Sequence, residues 1–136
     1  MITFEKILSA NDTGESGSHQ AGILVPKSVP ELLDFLPKLA DGIKNPDTLL
    51  DCCDKDGTWW RWRFIYYNNK FYDIKGTRNE YRITRMTRYL KLFGAKAGDR
   101  LQFTQRKDGG YNIVLIKSTI RKSNQTIKLA GWRRVH

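Results

Sequence analysis

The chain has 136 residues, of which 40% are hydrophobic, with 4 Trp, 6 Tyr and 6 Phe; that is material for one packed domain over 1–136 and argues against a disordered tail. Its 24 Lys and Arg outweigh 14 Asp and Glu, and the excess is uneven, with 5 basic and 10 acidic residues in 1–56 against 19 basic and 4 acidic in 57–136. No run nears the ~18 apolar residues of a membrane span, and Met1–Lys6 lacks a basic-then-apolar secretory plan, so a cytoplasmic chain with no membrane partner is expected.

Along the chain, Thr3 to Leu8 and Ala21 to Pro26 read as short strands separated by a long polar, glycine-rich loop from Ser9 to Gln20. Ser28 is expected to cap a short helix through Leu36, with Pro30 in its first turn and the helix lying as a lid on a barrel end. Thr48 to Asp54 reads as a buried strand. In Trp59 to Tyr67, the period of two places Trp60, Trp62, Phe64 and Tyr66 on one face and Arg61 and Arg63 on the other. After a turn at Asn68-Asn69, Lys70 to Ile74 and then Thr77 to Thr84 read as strands, and Arg85 to Phe93 as a short helix stopped by Gly94. Asp99 to Gln105 and Tyr111 to Lys117 flank Asp108-Gly109-Gly110, a hairpin signal, and Gln125 to Leu129 is expected to close the sheet. Many short strands with two small helices predict a mainly β barrel or pseudobarrel.

Cys52 and Cys53 are adjacent, so in a strand they point to opposite faces, which argues against a disulfide between them. With His19 and His136 the only histidines, no zinc quartet has suitable spacing.

A basic half interleaved with aromatics suits a polyanion, and nucleic acid is the commonest one. Arg78, Glu80 and Arg82 alternate along one strand, which puts two guanidinium forks around one carboxylate. In a major groove, Arg donates to guanine O6 and N7 while Glu accepts from the cytosine N4 amino group, so the trio suits a G·C-rich half-site. A surface ladder of ion pairs is the alternative for the same three residues. In the Ser9–Gln20 loop, a candidate recognition arm, Asn11, His19 and Gln20 offer donors and acceptors for base edges, and Lys6 is expected to anchor the arm to phosphate. Two rivals stand beside this reading. Asp47, Asp73 and Lys75 mimic the two-carboxylate-plus-lysine pattern of Mg²⁺ nucleases, and Trp59, Trp60 or Trp62 are candidate stacking platforms for a single strand.

The segment from Leu8 to Gly14, continuing through Gly17-Ser18-His19-Gln20-Ala21-Gly22 and Val25-Pro26, together with Ile65 to Asn68 and Thr77 to Arg85, resembles the N-terminal effector domains of EcoRII-type restriction endonucleases. The resemblance covers most of residues 4 to 90. It implies a seven-stranded DNA-binding pseudobarrel with two short helices, of the plant B-three type, which grips duplex DNA in the major groove with an N-arm at about 9–20 and a C-arm at about 68–88. The implied target is CC(A/T)GG. Carried over by position, Lys6, His19, Arg78, Glu80 and Arg82 are the expected DNA contacts, with Lys70 matched across a longer turn. Asn79 and Tyr81 lie in the same stretch, and the basic side chains of Lys6, Lys70, Lys75, Arg85 and Arg88 are expected mainly near phosphate. Leu24 and Tyr81 depart from the pattern, which has a tyrosine and a lysine there. The resemblance further implies no catalysis by this chain alone. A separate C-terminal nuclease domain would use Mg²⁺, while DNA binding by this monomeric, prokaryotic module would need no cofactor.

Overall fold

The structure, a computed structural model, describes residues 1–15, 17, 22–118 and 131–136. Among them, eight strands join in one sheet: β1 (Thr3–Ile7), β2 (Ile23–Val25), β3 (Asp47–Cys53), β4 (Trp59–Tyr67), β5 (Glu80–Thr84), β6 (Arg100–Gln105), β7 (Tyr111–Ile116) and β8 (Trp132–Val135). Their order is β2-β5-β4-β3-β7-β6-β1-β8, antiparallel throughout except for the short parallel contact of β3 with β7. The two edge strands meet through a side chain, because the Trp132 indole Nε1 donates to the Leu24 carbonyl at 2.8 Å. Among the described residues a side-chain hydrogen bond bridges the seam that a full ladder would close in a true barrel, so the expected pseudobarrel is the fold found, with eight strands where seven were expected.

Alternation places the core. On β4, Trp62 and Phe64 are buried and Trp60 packs against them, while Arg61 and Arg63 face outward and bond Asp51 and Asp47 of β3 at 2.9 and 2.6 Å. Among the described residues, three short helices stand around the sheet where two were expected: α1 (Ala10–Thr13), α2 (Pro30–Phe35) and α3 (Thr87–Leu92). α2 is the expected lid, since Phe35 lies 4.9 Å from Phe4 and 5.1 Å from Tyr111, whose hydroxyl donates to the Phe35 carbonyl. α3 buries Tyr89, whose ring meets the indoles of Trp60 and Trp62 edge-on. Burial pushes the Tyr89 and Tyr111 hydroxyls well above the ordinary phenol range.

Several local expectations need correcting. The helix after Ser28 is capped at Val29, without a side-chain bond, because Pro30 already occupies the first turn. β3 is buried on one face only, since Asp47, Leu49 and Asp51 are exposed. Cys52 is accordingly interior and Cys53 half-buried, both as free thiols. Lys70 to Ile74 is not a strand: Asn69–Phe71 forms a 3-10 turn, and the carbonyl of Asn69 collects the amides of Tyr72 and Asp73. Thr77 to Asn79 stays outside the ladder, which begins at Glu80. Part of the polar Ser9–Gln20 loop is helical, as α1, and the expected strand Gln125–Leu129 lies outside the described residues. β8 was not anticipated, because two of its four residues are exposed arginines and its apolar signal is short. It is held by tertiary charge instead: the fully buried Glu5 of β1 accepts from Arg100 at 3.1 Å, Gln102 at 2.9 Å and Arg133 of β8.

Candidate nucleic-acid interface

β5 carries two different faces. Tyr81 and Ile83 turn inward, with Tyr81 stacked on Tyr66 at 4.3 Å and on Phe64 at 5.7 Å. Glu80 and Arg82 therefore project to the other side. There the Glu80 carboxylate accepts from Arg82 Nε at 2.5 Å and lies 3.6 Å from Arg78 Nε. Burial alone would raise the Glu80 carboxyl pKa, but the Arg82 bond and the charges of Arg82 and Arg78 outweigh it and hold the group below its usual range. The expected arrangement of two guanidiniums around one carboxylate is thus present. Arg82 spends only its Nε on Glu80, and a guanidinium carries four further N–H donors.

Arg78 has a second partner that the sequence reading overlooked. Its guanidinium carbon sits 3.6 Å from the centroid of the Tyr67 ring. The signal was available: Tyr66 belongs to the inward set of β4, so Tyr67 must face outward, and the register sets Tyr67 directly opposite Glu80.

The chain between β4 and β5 is a stitched loop. Asn68 is buried and exchanges bonds with Asn45, its Oδ1 accepting from the Asn45 amide at 2.7 Å and its own amide donating to Asn45 Oδ1 at 3.0 Å. Asn69 Oδ1 accepts the Arg78 amide at 2.8 Å, and the Lys70 amide donates to the Arg78 carbonyl at 3.1 Å, closing the loop at its neck. Lys70 and Lys75 are exposed on it. Asn79 is engaged locally, accepting from the Tyr66 hydroxyl through its side chain and from Lys27 through its carbonyl. Beyond β5, Arg85 and Arg88 are exposed, and Arg85 has a left-handed backbone with φ 68°.

On the other side, α1 is fastened to the barrel. Ser9 and Asp12 form a capping box, with the Asp12 amide donating to Ser9 Oγ and the Ser9 amide to Asp12 Oδ2. Lys6, only 5% exposed, donates to the same Asp12 oxygen at 2.8 Å and to the Ile7 carbonyl at 3.0 Å. The lysine expected to hold phosphate is therefore enclosed and bound to a carboxylate. The Glu15 carboxylate accepts from the Ala97 amide at 2.7 Å, tying the end of the helix to the turn before β6. At Gly22 the chain returns against β5 so closely that a Cβ would lie 1.8 Å from the Ile83 carbonyl oxygen. A cleft of about 450 Å³ results, lined by Lys6, Asn11, Asp12, Leu24 and Arg82 among others. It brings Asn11 of α1 and Arg82 of β5 to one cleft. His19 and Gln20 lie outside the described residues, while Tyr81 sits on the core side of β5, away from Glu80 and Arg82.

The rival constellations are not assembled. Asp47 bonds Arg63, and Asp73 bonds Lys44 through both oxygens at 2.9 and 2.8 Å. Among the described residues, no group of three or more His, Cys, Asp or Glu side chains is arranged to hold a metal ion. Of the tryptophans proposed as platforms, Trp62 is buried, Trp60 donates to Asp54 at 2.8 Å, and Trp59 is half-exposed with the Arg106 guanidinium over its ring.

Comparison with known proteins bears on this geometry. The family described as "Restriction endonuclease EcoRII, N-terminal" matches residues 1–115. The chain belongs to that family. The chain is 39% identical to the type II restriction enzyme EcoRII of Escherichia coli, over 87% of its own length and 31% of that protein. It is 30% identical to a B3 domain-containing protein of Oryza sativa subsp. japonica, over 81% of the chain and 32% of the relative. It thus spans about a third of the length of these curated relatives. Two solved structures share the fold. The Arabidopsis FUS3-DNA complex superposes with a TM-score of 0.64 at 21% identity, covering 88% of this chain and 100% of that one. The N-terminal domain of Helicobacter pylori LlaJI.R1 superposes with a TM-score of 0.58 at 12% identity, covering 100% and 98%.

Proposed function

We propose that this EcoRII-family domain is a sequence-specific duplex-DNA recognition module that reads the major groove at CC(A/T)GG-type sites, with arms at about 9–20 and 68–88. The observation that carries the reading is the Glu80 carboxylate, kept ionised between Arg82 and Arg78 beside a cleft that the first arm also lines. An ionised carboxylate is the acceptor that a cytosine amino group needs, and guanidiniums supply the paired donors that suit guanine. Asn11, with His19 and Gln20 of the same arm, serves base edges; Lys70, Lys75, Arg85 and Arg88 serve phosphate. Lys6 works indirectly, by holding α1 through Asp12. The likeness to FUS3, solved with DNA, and to a restriction enzyme supports this assignment.

In the whole protein the domain recognises DNA as a monomer in a prokaryotic cytoplasm, without a metal of its own. Cleavage belongs to a separate, Mg²⁺-dependent domain on its C-terminal side.

Binding selection from a random duplex library tests the reading, with enrichment of CC(A/T)GG expected. Affinity should fall with salt at a log–log slope of about −0.9 per phosphate contacted, and Lys70→Ala with Lys75→Ala should reduce that slope by about two contacts. A chain that selects no sequence, or prefers single strands of equal length, would not be this module.

A further inference from the structure

We propose that Ile74, at the apex of the loop between β4 and β5, is an apolar reading finger that seats against the 5-methyl group of a thymine in the major groove; this rests on the duplex-DNA reading above. Three observations converge on it. Ile74 is 103% exposed, a burden for a β-branched apolar side chain, and Phe71 at 62% and Tyr72 at 46% lie on the same loop. Its position is a tight turn, in which the Gly76 amide donates to the Asp73 carbonyl at 3.0 Å and leaves Ile74 and Lys75 as the two central residues. Turns ordinarily place polar residues or proline there, so an isoleucine calls for an apolar partner.

The turn is also held from both sides. The Asp73 amide donates to the Asn69 carbonyl at 2.8 Å, and the Asp73 carboxylate is clamped by Lys44 at 2.8 and 2.9 Å. Gly76 fits only because it has no side chain, since a Cβ there would stand 2.1 Å from the Asn69 carbonyl oxygen. Ile74 is therefore presented on a preorganised support, and little ordering remains to be done when a partner arrives.

Charge chooses the partner. Lys75 adjoins Ile74, Lys70 and Arg78 close the neck of the same loop, and its carboxylates are already paired, Asp73 with Lys44 and Glu80 with Arg82 and Arg78. An apolar tip within a cationic collar fits a polyanion that displays an apolar group. In duplex DNA the thymine methyl is that group, and it lies in the major groove. A contact there would add to the Arg and Glu readout by distinguishing T from C at one position.

The test compares wild type and Ile74→Ala on the selected duplex and on the same duplex with uracil in place of thymine, which removes only the methyl groups. Wild type should bind the thymine duplex about fourfold more tightly, the worth of burying one methyl-sized group. Ile74→Ala should bind the two alike, at about the affinity of wild type for the uracil duplex. An equal thymine preference in both proteins, or none in wild type, overturns the assignment of Ile74 while leaving duplex recognition intact. Failure of wild type to bind either duplex would instead strike the underlying function. Ile74 makes no packing contact that folding depends on, and thermal unfolding of the variant should match wild type.

Discussion

The guanidinium of Arg78 rests 3.6 Å from the centroid of the Tyr67 ring while also facing the carboxylate of Glu80 at 3.6 Å. One strand residue thereby sets the direction of a side chain that lies outside the ladder. Arginine has several rotatable bonds, and a ring face beneath it limits where its fork can point.

Replacing Tyr67 with Ala should therefore weaken duplex binding by about 1 kcal/mol, roughly fivefold. Tyr67→Phe keeps the ring face and should bind nearly as wild type. Titration of a labelled duplex against the three proteins decides the matter; equal losses in both variants would assign the effect to the hydroxyl instead.

Glu80 is the acceptor in a basic surround. On the proposed readout, Glu80→Ala should relax discrimination at one base pair by ~1–3 kcal/mol, since a cytosine amino group would lose its partner while phosphate contacts would remain. Competition with singly substituted duplexes reads this directly. An unchanged base preference would return Glu80 to the role of a spacer between two arginines.

Glu5 predicts an acid-sensitive sheet edge. Burial acts to raise its carboxyl pKa, but the Gln102 bond and the guanidiniums of Arg133 and Arg100 more than offset that and bring the value below normal. A depressed folded pKa contributes stability that is fully present above the unfolded value of about 4.3 and lost as pH falls through the folded one. Urea unfolding should therefore show a stability that declines below about pH 4.5, and the decline should be shallower in Glu5→Gln than in wild type. Parallel pH profiles for the two proteins would remove Glu5 from the account.

Gly22 stands just before β2, with φ 75° and the Ile83 carbonyl oxygen 1.8 Å from any added Cβ. Gly22→Ala should cost at least about 2 kcal/mol, because backbone must move as well as adopt a left-handed conformation. Gly14, at φ 86° with open space around it, supplies the control: Gly14→Ala should lose only the conformational part, about 1 kcal/mol. Chemical denaturation of the pair separates close approach from backbone strain.

The barrel itself was legible in the chain. Period-two patterning in Trp59–Tyr67 set the inward face of β4 correctly, the Asp108-Gly109-Gly110 signal marked the β6–β7 hairpin, and the alternation of Arg78, Glu80 and Arg82 foretold a carboxylate between two guanidiniums. These are local properties, carried by neighbours a few residues apart; strand geometry transmits those of β4 and β5 directly from sequence, while Arg78, outside the ladder, is directed by the Tyr67 ring. The loop at Lys70–Ile74 was not legible, because its apolar residues, Phe71, Tyr72 and Ile74, look like a strand but lie on an exposed turn.

What residues do once distant segments meet lay beyond the sequence. Lys6 looks like any basic residue near a polar loop, yet the fold buries it against Asp12, and only then does it cease to be an exposed phosphate anchor. Asp73 resembles a metal ligand until the chain returns Lys44 to its side. Arg133 is an unremarkable terminal charge until β8 lies along β1 and its guanidinium reaches the buried Glu5. In each case the decisive partner is a charge whose distance is set by chain closure. Coulomb energy depends on that distance and on how much water remains between the groups, and neither quantity exists until the strands have paired.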